Sequence, residues 1–253
     1  EIYFGAISGR IGVIDTAIFA IHDSSDNEFF RVDNGGSVGI GTTTCLNPLH
    51  VHGPSSGVGP IIQLTNDTGD CRLFFGANST AGSANAMGQI RYNVGNNQMQ
   101  FYTSGSERLE INQHGGFQFN NAELIERVKI VSGKLSDNTN INLADGMIYY
   151  FTTQETTTCT PDIRIDSSNT LNAAMDAGDV CTVTVITTAA AAGYSANWTI
   201  DGSGVTEEWV GGSAPSAGGS NGLDIYVLTI ICTHATNTGD SGFKVIANLT
   251  NAT

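Results

Sequence analysis

His50-Val51-His52 puts two imidazoles on one side of an extended strand, because successive strand side chains alternate faces. Three copies on a common axis would bring six such nitrogens around one octahedral ion, iron or zinc. A single His-x-His with no third ligand nearby in sequence reads more simply as a solvent-facing pair, and no metal or other cofactor is expected. The carboxylates Glu207-Glu208 and Asp162/Asp166 are the nearest approach to a glycan-cleaving pair. Such chemistry needs two acids facing each other across a cleft, about 5–10 Å apart, with separated pKa values. Adjacent residues of a strand point to opposite faces, so Glu207 and Glu208 read as a solvated edge. No Gly-x-Ser-x-Gly run sits between a strand and a helix as a nucleophile elbow must, and no phosphate-binding glycine loop carries its lysine. The chain therefore reads as a non-enzyme.

Three aromatic residues, Tyr194, Trp198 and Trp209, flank alanine-rich and glycine-rich loops. Exposed rings stack on sugar faces while neighbouring Asn and Asp side chains hydrogen-bond hydroxyls. These three are the candidate ligand-binding positions, with core packing as the alternative for at least one tryptophan.

The elements that carry these residues follow from composition. Gly 31, Thr 28 and Asn 22 make up 81 of the 253 residues, whereas charged residues reach only 13%. Gly and Asn weaken helix interiors and supply the positive-φ turns between short strands, so the chain reads as all-β. Acids outnumber bases by 24 to 10, a formal charge of −14 that repels phosphate backbones and anionic lipid. Nucleic acid is not an expected partner, nor is membrane insertion, since no run of eighteen apolar residues occurs. The first residues lack a secretory leader, and an anchoring segment upstream is expected. Five widely spaced cysteines without a CxxC read as buried thiols. A single Cys159–Cys232 or Cys45–Cys71 bridge stays open at this point.

Glu28–Gly36 lines up with Glu107–Gly116 if one insertion is allowed, each copy a strand closing in a double-glycine turn. Short apolar pieces lie between the copies, too short to bury a private core. Association about a rotational axis would cover their faces and edges. The charged stretch 121–137 reads as an extended connector. Beyond it, longer alternating strands predict a sandwich or jelly roll. Leu223–Cys232 is apolar on both faces, which marks a central strand or one covered by a neighbouring subunit. Thr170–Gly178 is the one expected short helix, with Gly178 at its C′ position.

Asn34-Gly35-Gly36-Ser37-Val38-Gly39-Ile40-Gly41-Thr42-Thr43, followed by Pro48-Leu49-His50-Val51, resembles a module of tailed-phage fibre shafts. Gly88–Asn93 continuing through Met99–Leu109 is similar to a second signature of the same proteins. Residues Asn142–Met147, Thr187–Ser195, Trp209–Pro215 and Asp224–Tyr226 resemble a C-terminal module of virion structural proteins of marine tailed phages, above all those of cyanobacteria. Nothing here matches the helical, self-cleaving chaperone domain that ends many such shafts.

The resemblance implies a homotrimeric fibre: an intertwined shaft-like first half over 1–120, a connector over 121–137, and a C-terminal β-sandwich or jelly-roll-like domain over 138–253. It implies a virion protein of a tailed bacteriophage, assembled in the host cytoplasm. Its copies would join other virion proteins through the upstream anchor and attach the particle to a host surface polysaccharide or receptor. A head fibre or capsid-decoration protein is the alternative placement, and a polysaccharide depolymerase the alternative activity.

Overall fold

Alternating apolar residues punctuated by glycine-bearing turns give a chain that is 44% strand and 5% helical, an all-β protein. The computed structural model describes all residues except 1, 4–9, 15–16, 26, 54–58, 67–68, 77–86, 221, 235, 237 and 253, with side chains from residue 19 onward. Backbone contacts divide it into two units, Glu1–Glu123 and Leu124–Thr253. Among the described residues no helix is long and apolar enough to cross a membrane.

The first unit holds two sheets laid down in chain order. Strands β1 (Ile2–Tyr3), β2 (Arg10–Ile14), β3 (Ala17–His22), β4 (Glu28–Asp33) and β5 (Val38–Ile40) form an antiparallel meander, and β6 (Leu49–Val51) adds parallel to β5. Strands β7 (Cys71–Phe75), β8 (Gly88–Asn93), β9 (Gln98–Thr103), β10 (Ser106–Ile111) and β11 (Phe117–Phe119) form a second, wholly antiparallel meander.

The internal similarity is a structural repeat, but its register needs no insertion. Asp33 Oδ1 accepts the N–H of Gly35 (2.9 Å) and of Ser37 (2.8 Å). Asn112 Oδ1 accepts those of His114 (2.9 Å) and Gly116 (3.0 Å) in the same way. The left-handed residue is Gly36 (φ 81°) in one turn and Gly115 (φ 82°) in the other. Each pair is offset by 79 residues (33 to 112, 36 to 115), and so are the strand pairs Val32↔Val38 and Ile111↔Phe117. One glycine per turn is required by its backbone; the second glycine in each copy falls at a different position.

The second unit is a two-layer sandwich. Its larger sheet runs in the order β12 (Val128–Val131), β14 (Ile148–Phe151), β16 (Val180–Thr187), β20 (Leu223–Cys232), β21 (Phe243–Ala252), β19 (Glu207–Trp209). Its smaller sheet is β13 (Asn140–Asn142), β15 (Asp162–Arg164), β17 (Thr199–Ile200) and β18 (Ser203–Gly204). One core joins them: Ile141, Ile163 and Ile200 from the small sheet meet Tyr149, Phe151, Val183, Val185, Tyr226, Leu228 and Ile230 from the large one. Parallel pairs (β12/β14, β14/β16, β19/β21) separate this arrangement from an antiparallel jelly roll. Strand β20 is central, with its Tyr226/Leu228/Ile230 face buried and its Leu223/Ile225/Val227 face half-exposed.

Three expectations change. Residues 122–127 run without regular structure, but Val128–Val131, read as part of the connector, is the edge strand β12, because its backbone pairs in parallel with Ile148–Phe151. The helix spans only Leu171–Ala174 (α1), started by Thr170 Oγ1 accepting the Ala173 N–H. It stops because Met175 turns extended and buries its side chain. All five cysteines are free thiols, and only Cys232 is fully buried.

Candidate functional site

Strand β19 pairs with β21 at the sheet margin, Trp209 opposite Ala247. The indole is half-buried and packs on the edge of the core. Past it the chain turns tightly, Val210 N–H to Ala247 O (2.8 Å) and Gly212 N–H to Trp209 O (2.9 Å), and enters the Gly/Ser/Ala loop. Between this loop and β21 lies a cleft of about 280 Å³, with Trp209, Pro215 and Leu249 as its apolar lining and Ser213, Ser216 and Asn251 as its polar lining.

The far end of the loop is fastened by a buried carboxylate. Asp224 accepts the Gly219 N–H (3.0 and 3.1 Å to its two oxygens) and the Asn251 amide (2.7 Å). One flat ring, a carboxamide and two hydroxyls in a shallow concavity match the amphipathic faces of a sugar: C–H patches for the ring, hydroxyls for the polar groups.

The other two aromatic candidates are not part of this cleft. Trp198 is a correction: it is 1% exposed, packed edge-on to Tyr226 with ring centroids 5.6 Å apart, and it fills the core rather than facing a ligand. Tyr194 is half-buried in the alanine-rich loop. Trp198 and Trp209 are nonetheless linked, because Glu207, two residues before Trp209, accepts the Trp198 backbone N–H at 2.5 Å.

His50 and His52 do share a strand side, with ring centroids 6.1 Å apart. His50 Nδ1 is engaged 2.9 Å from Thr44 O. Among the described residues no three His, Cys, Asp or Glu side chains come together as metal ligands would.

Glu207 and Glu208 take opposite faces as strand geometry requires, Glu207 half-buried and Glu208 exposed. Burial pushes the Glu207 carboxyl above the ordinary range, against its hydrogen bonds. Asp162 and Asp166 line a cleft of about 250 Å³ with Asp201. Each carboxylate there ties backbone together. Asp162 holds Thr199 Oγ1 (2.8 Å) and Gly202 N (2.7 Å), and Asp201 holds the N–H groups of Leu171 (2.8 Å) and Asn172 (3.0 Å). Asp166 binds the Asn169 side chain and the Ser168 N–H, which hold its carboxyl below the usual range.

Sequence reasoning expected uncovered apolar faces on these short strands but did not assemble them into one surface. In the β7–β11 sheet, register places Leu73, Ile90, Phe101, Leu109 and Phe119 in one row and Cys71, Tyr92, Met99, Ile111 and Phe117 in the next, all on one face. That face is open: its Leu73, Phe75, Tyr92, Met99, Phe117 and Phe119 are exposed by 36% to 66%. The opposite face is polar apart from the exposed Phe74, and its Gln89, Gln100 and Glu110 are buried. Gln100 donates to Glu107 (2.7 Å) and Glu110 (3.2 Å), Gln98 to Glu110 (2.7 Å), and Arg91 to Tyr102 (3.0 Å) and Asp70 (2.6 Å). The signal was the period-two alternation across five consecutive strands, each too short to stand out alone.

No protein-family model and no curated protein matches this sequence.

Proposed function

We propose that this chain is a homotrimeric fibre protein of a tailed phage, carried on the virion, that attaches the particle to its host surface. The observation that carries the reading is the apolar face of the β7–β11 sheet. Its six most open side chains leave roughly 500 Å² of apolar surface, near the upper limit of a monomer's largest patch. The other side is tied together by hydrogen bonds among Gln98, Gln100, Glu107 and Glu110, so the face most in need of cover is the greasy one. Sibling chains meeting on an axis supply that cover and also shield the short strand edges. The fibre-module resemblance of residues 28–119 agrees with this arrangement.

The chemistry of the second unit is binding without cleavage. The Trp209 cleft takes a sugar ring of a surface polysaccharide, and three clefts per fibre raise the effective concentration of weak sites. Native mass spectrometry tests the assembly: three chains per particle are expected, and a monomer at micromolar concentration overturns it. Incubation with host polysaccharide tests the binding: retention of polymer at unchanged length is expected, and shortening of the polymer would make the chain a depolymerase.

A further inference from the structure

The cleft beside Trp209 is lined, among the described residues, without a charged side chain. The unit that holds it is acidic, with thirteen Asp and Glu against five Lys and Arg over residues 124–253. Register explains the neutral lining. Trp209 stands opposite Ala247, so Ala247, Leu249 and Asn251 alternate along β21 on the face the indole occupies, while Glu208 points the other way. Pro215 and Ala217 close the cleft from the loop. The Asp224 carboxylate that holds Asn251 is 1% exposed and already occupied: its two oxygens share the Gly219 N–H, and Oδ1 takes a hydrogen of Asn251 Nδ2 at 2.7 Å. That bond orients the carboxamide. Nδ2 turns to Asp224, and Oδ1 is left as an acceptor that takes no donor among the described residues. An anion on the N–H side also polarises the amide and draws negative charge onto Oδ1.

We infer that this cleft selects N-acetylated hexosamine residues over plain hexoses and over uronates. The inference rests on the saccharide reading of the cleft and names the class of sugar. An acetamido group has three parts, and the lining answers each. Its N–H is a donor for Asn251 Oδ1, and its carbonyl accepts from the hydroxyl of Ser213 or Ser216. Its methyl packs on Pro215, Ala217 and Leu249, apolar groups that a ring stacked on the indole alone leaves to water. A plain hexose keeps the stacking but sets a hydroxyl against those apolar groups and forfeits the burial. A uronate fares worst. No Lys, Arg or His among the described lining residues pairs its carboxylate, and both the polarised Oδ1 and the acidic unit repel it. Burial of one methyl and one added hydrogen bond together raise affinity about tenfold.

The test titrates the full chain with the methyl glycosides of N-acetylglucosamine, N-acetylgalactosamine, glucose, galactose and glucuronic acid, read by saturation-transfer difference NMR. At least one acetamido sugar should bind about tenfold more tightly than its parent hexose, with the glucuronide weaker than glucose. The acetamido methyl of that sugar should receive saturation as strongly as its ring protons. Asn251→Ala should bring the ratio to within about twofold of parity, and an unchanged ratio in the folded variant overturns the inference. Should the variant misfold by circular dichroism, the methyl saturation in the parent protein decides in its place. Equal affinity for the acetamido sugars and their parent hexoses, a methyl without saturation, or a glucuronide bound as tightly, overturns the inference and leaves the saccharide reading standing. If none of the sugars binds, the inference falls, and retention of host polysaccharide by the same protein decides whether the saccharide reading falls with it.

Discussion

Glu155 clamps Ser136 across nineteen residues of chain: Oε2 accepts the Ser136 backbone N–H at 2.7 Å and Oε1 its hydroxyl at 2.9 Å. Oε1 also accepts the N–H groups of Thr156 (2.8 Å) and Thr157 (3.0 Å) and the Thr157 hydroxyl (3.1 Å). The side chain is 1% exposed, and Gly193 lies so close that a Cβ there would stand 2.3 Å from Glu155 O. Burial opposes ionisation, but the donors outweigh it and hold the carboxyl below the ordinary value of 4.5. A depressed native pKa stabilises the fold above the unfolded value and loses that contribution as pH falls through the native one. Glu155→Gln turns an acceptor into a donor facing donors. Urea melts between pH 3 and 7 should show a loss of about 2–3 kcal/mol at neutral pH and a shallower decline in acid.

Glu207 carries the opposite slope. Burial raises its carboxyl above 4.5 while the Trp198 N–H and its own backbone pull it down. The stabilising contribution of a raised native pKa is complete below the unfolded value and disappears as pH rises through the native one. Glu207→Gln keeps an acceptor for Trp198 and removes the ionisation. The variant should match the parent near pH 4 and exceed it at pH 8, read from thermal melts at both pH values.

Tyr226 is 1% exposed, and its hydroxyl accepts the Ser195 N–H at 3.0 Å. Burial pushes its pKa up to about 12. That stabilisation is present below the unfolded value of 10 and is lost as pH rises through about 12, so tyrosinate absorbance should show this residue ionising together with alkaline unfolding. Tyr226→Phe leaves a buried N–H without its acceptor and should cost about 1–3 kcal/mol in denaturant melts.

Much of the second unit was legible as period two. Tyr149/Phe151, Ile163 and Val183/Val185 alternate in sequence and all reach the core. In β20 both faces are apolar, so alternation alone left the Tyr226/Leu228/Ile230 face and the Leu223/Ile225/Val227 face equivalent until the neighbouring layer chose between them. Trp198 had a usable signal, since Ile200 two residues on shares its face and is buried, but two residues of strand are too few to establish a period. Glu155 had none: in Gln154-Glu155-Thr156-Thr157 it looks like any solvated loop, and its donors come partly from a residue nineteen positions away. The double-glycine alignment misled by one position, because composition matched two glycines where geometry demands only Gly36 and Gly115.

Phe119 stands opposite Leu109 at the β11 margin of the open face, 47% exposed. Phe117→Lys with Phe119→Lys sets two charges where sibling chains are proposed to meet, at positions where the isolated chain buries little. The monomer fold should hold by circular dichroism, while analytical ultracentrifugation should show dissociation to single chains at concentrations where the parent stays assembled. An unchanged sedimentation coefficient would place the contact elsewhere.

Trp209 is the residue on which saccharide binding turns. Stacking of one indole on a sugar face contributes about 1 kcal/mol, so Trp209→Ala should weaken a single cleft roughly fivefold. Because the ring also packs on the core margin, Trp209→Phe serves as the conservative control and should retain most affinity with little change in melting temperature. Three clefts on one fibre multiply the loss: if all engage, fivefold per site becomes roughly a hundredfold for the whole assembly. Binding of the intact protein to immobilised host polysaccharide should therefore fall far more steeply than binding of a short soluble oligosaccharide in titration calorimetry. Equal losses in the two assays would mean that the sites act singly, and no loss in either would remove Trp209 from the binding surface.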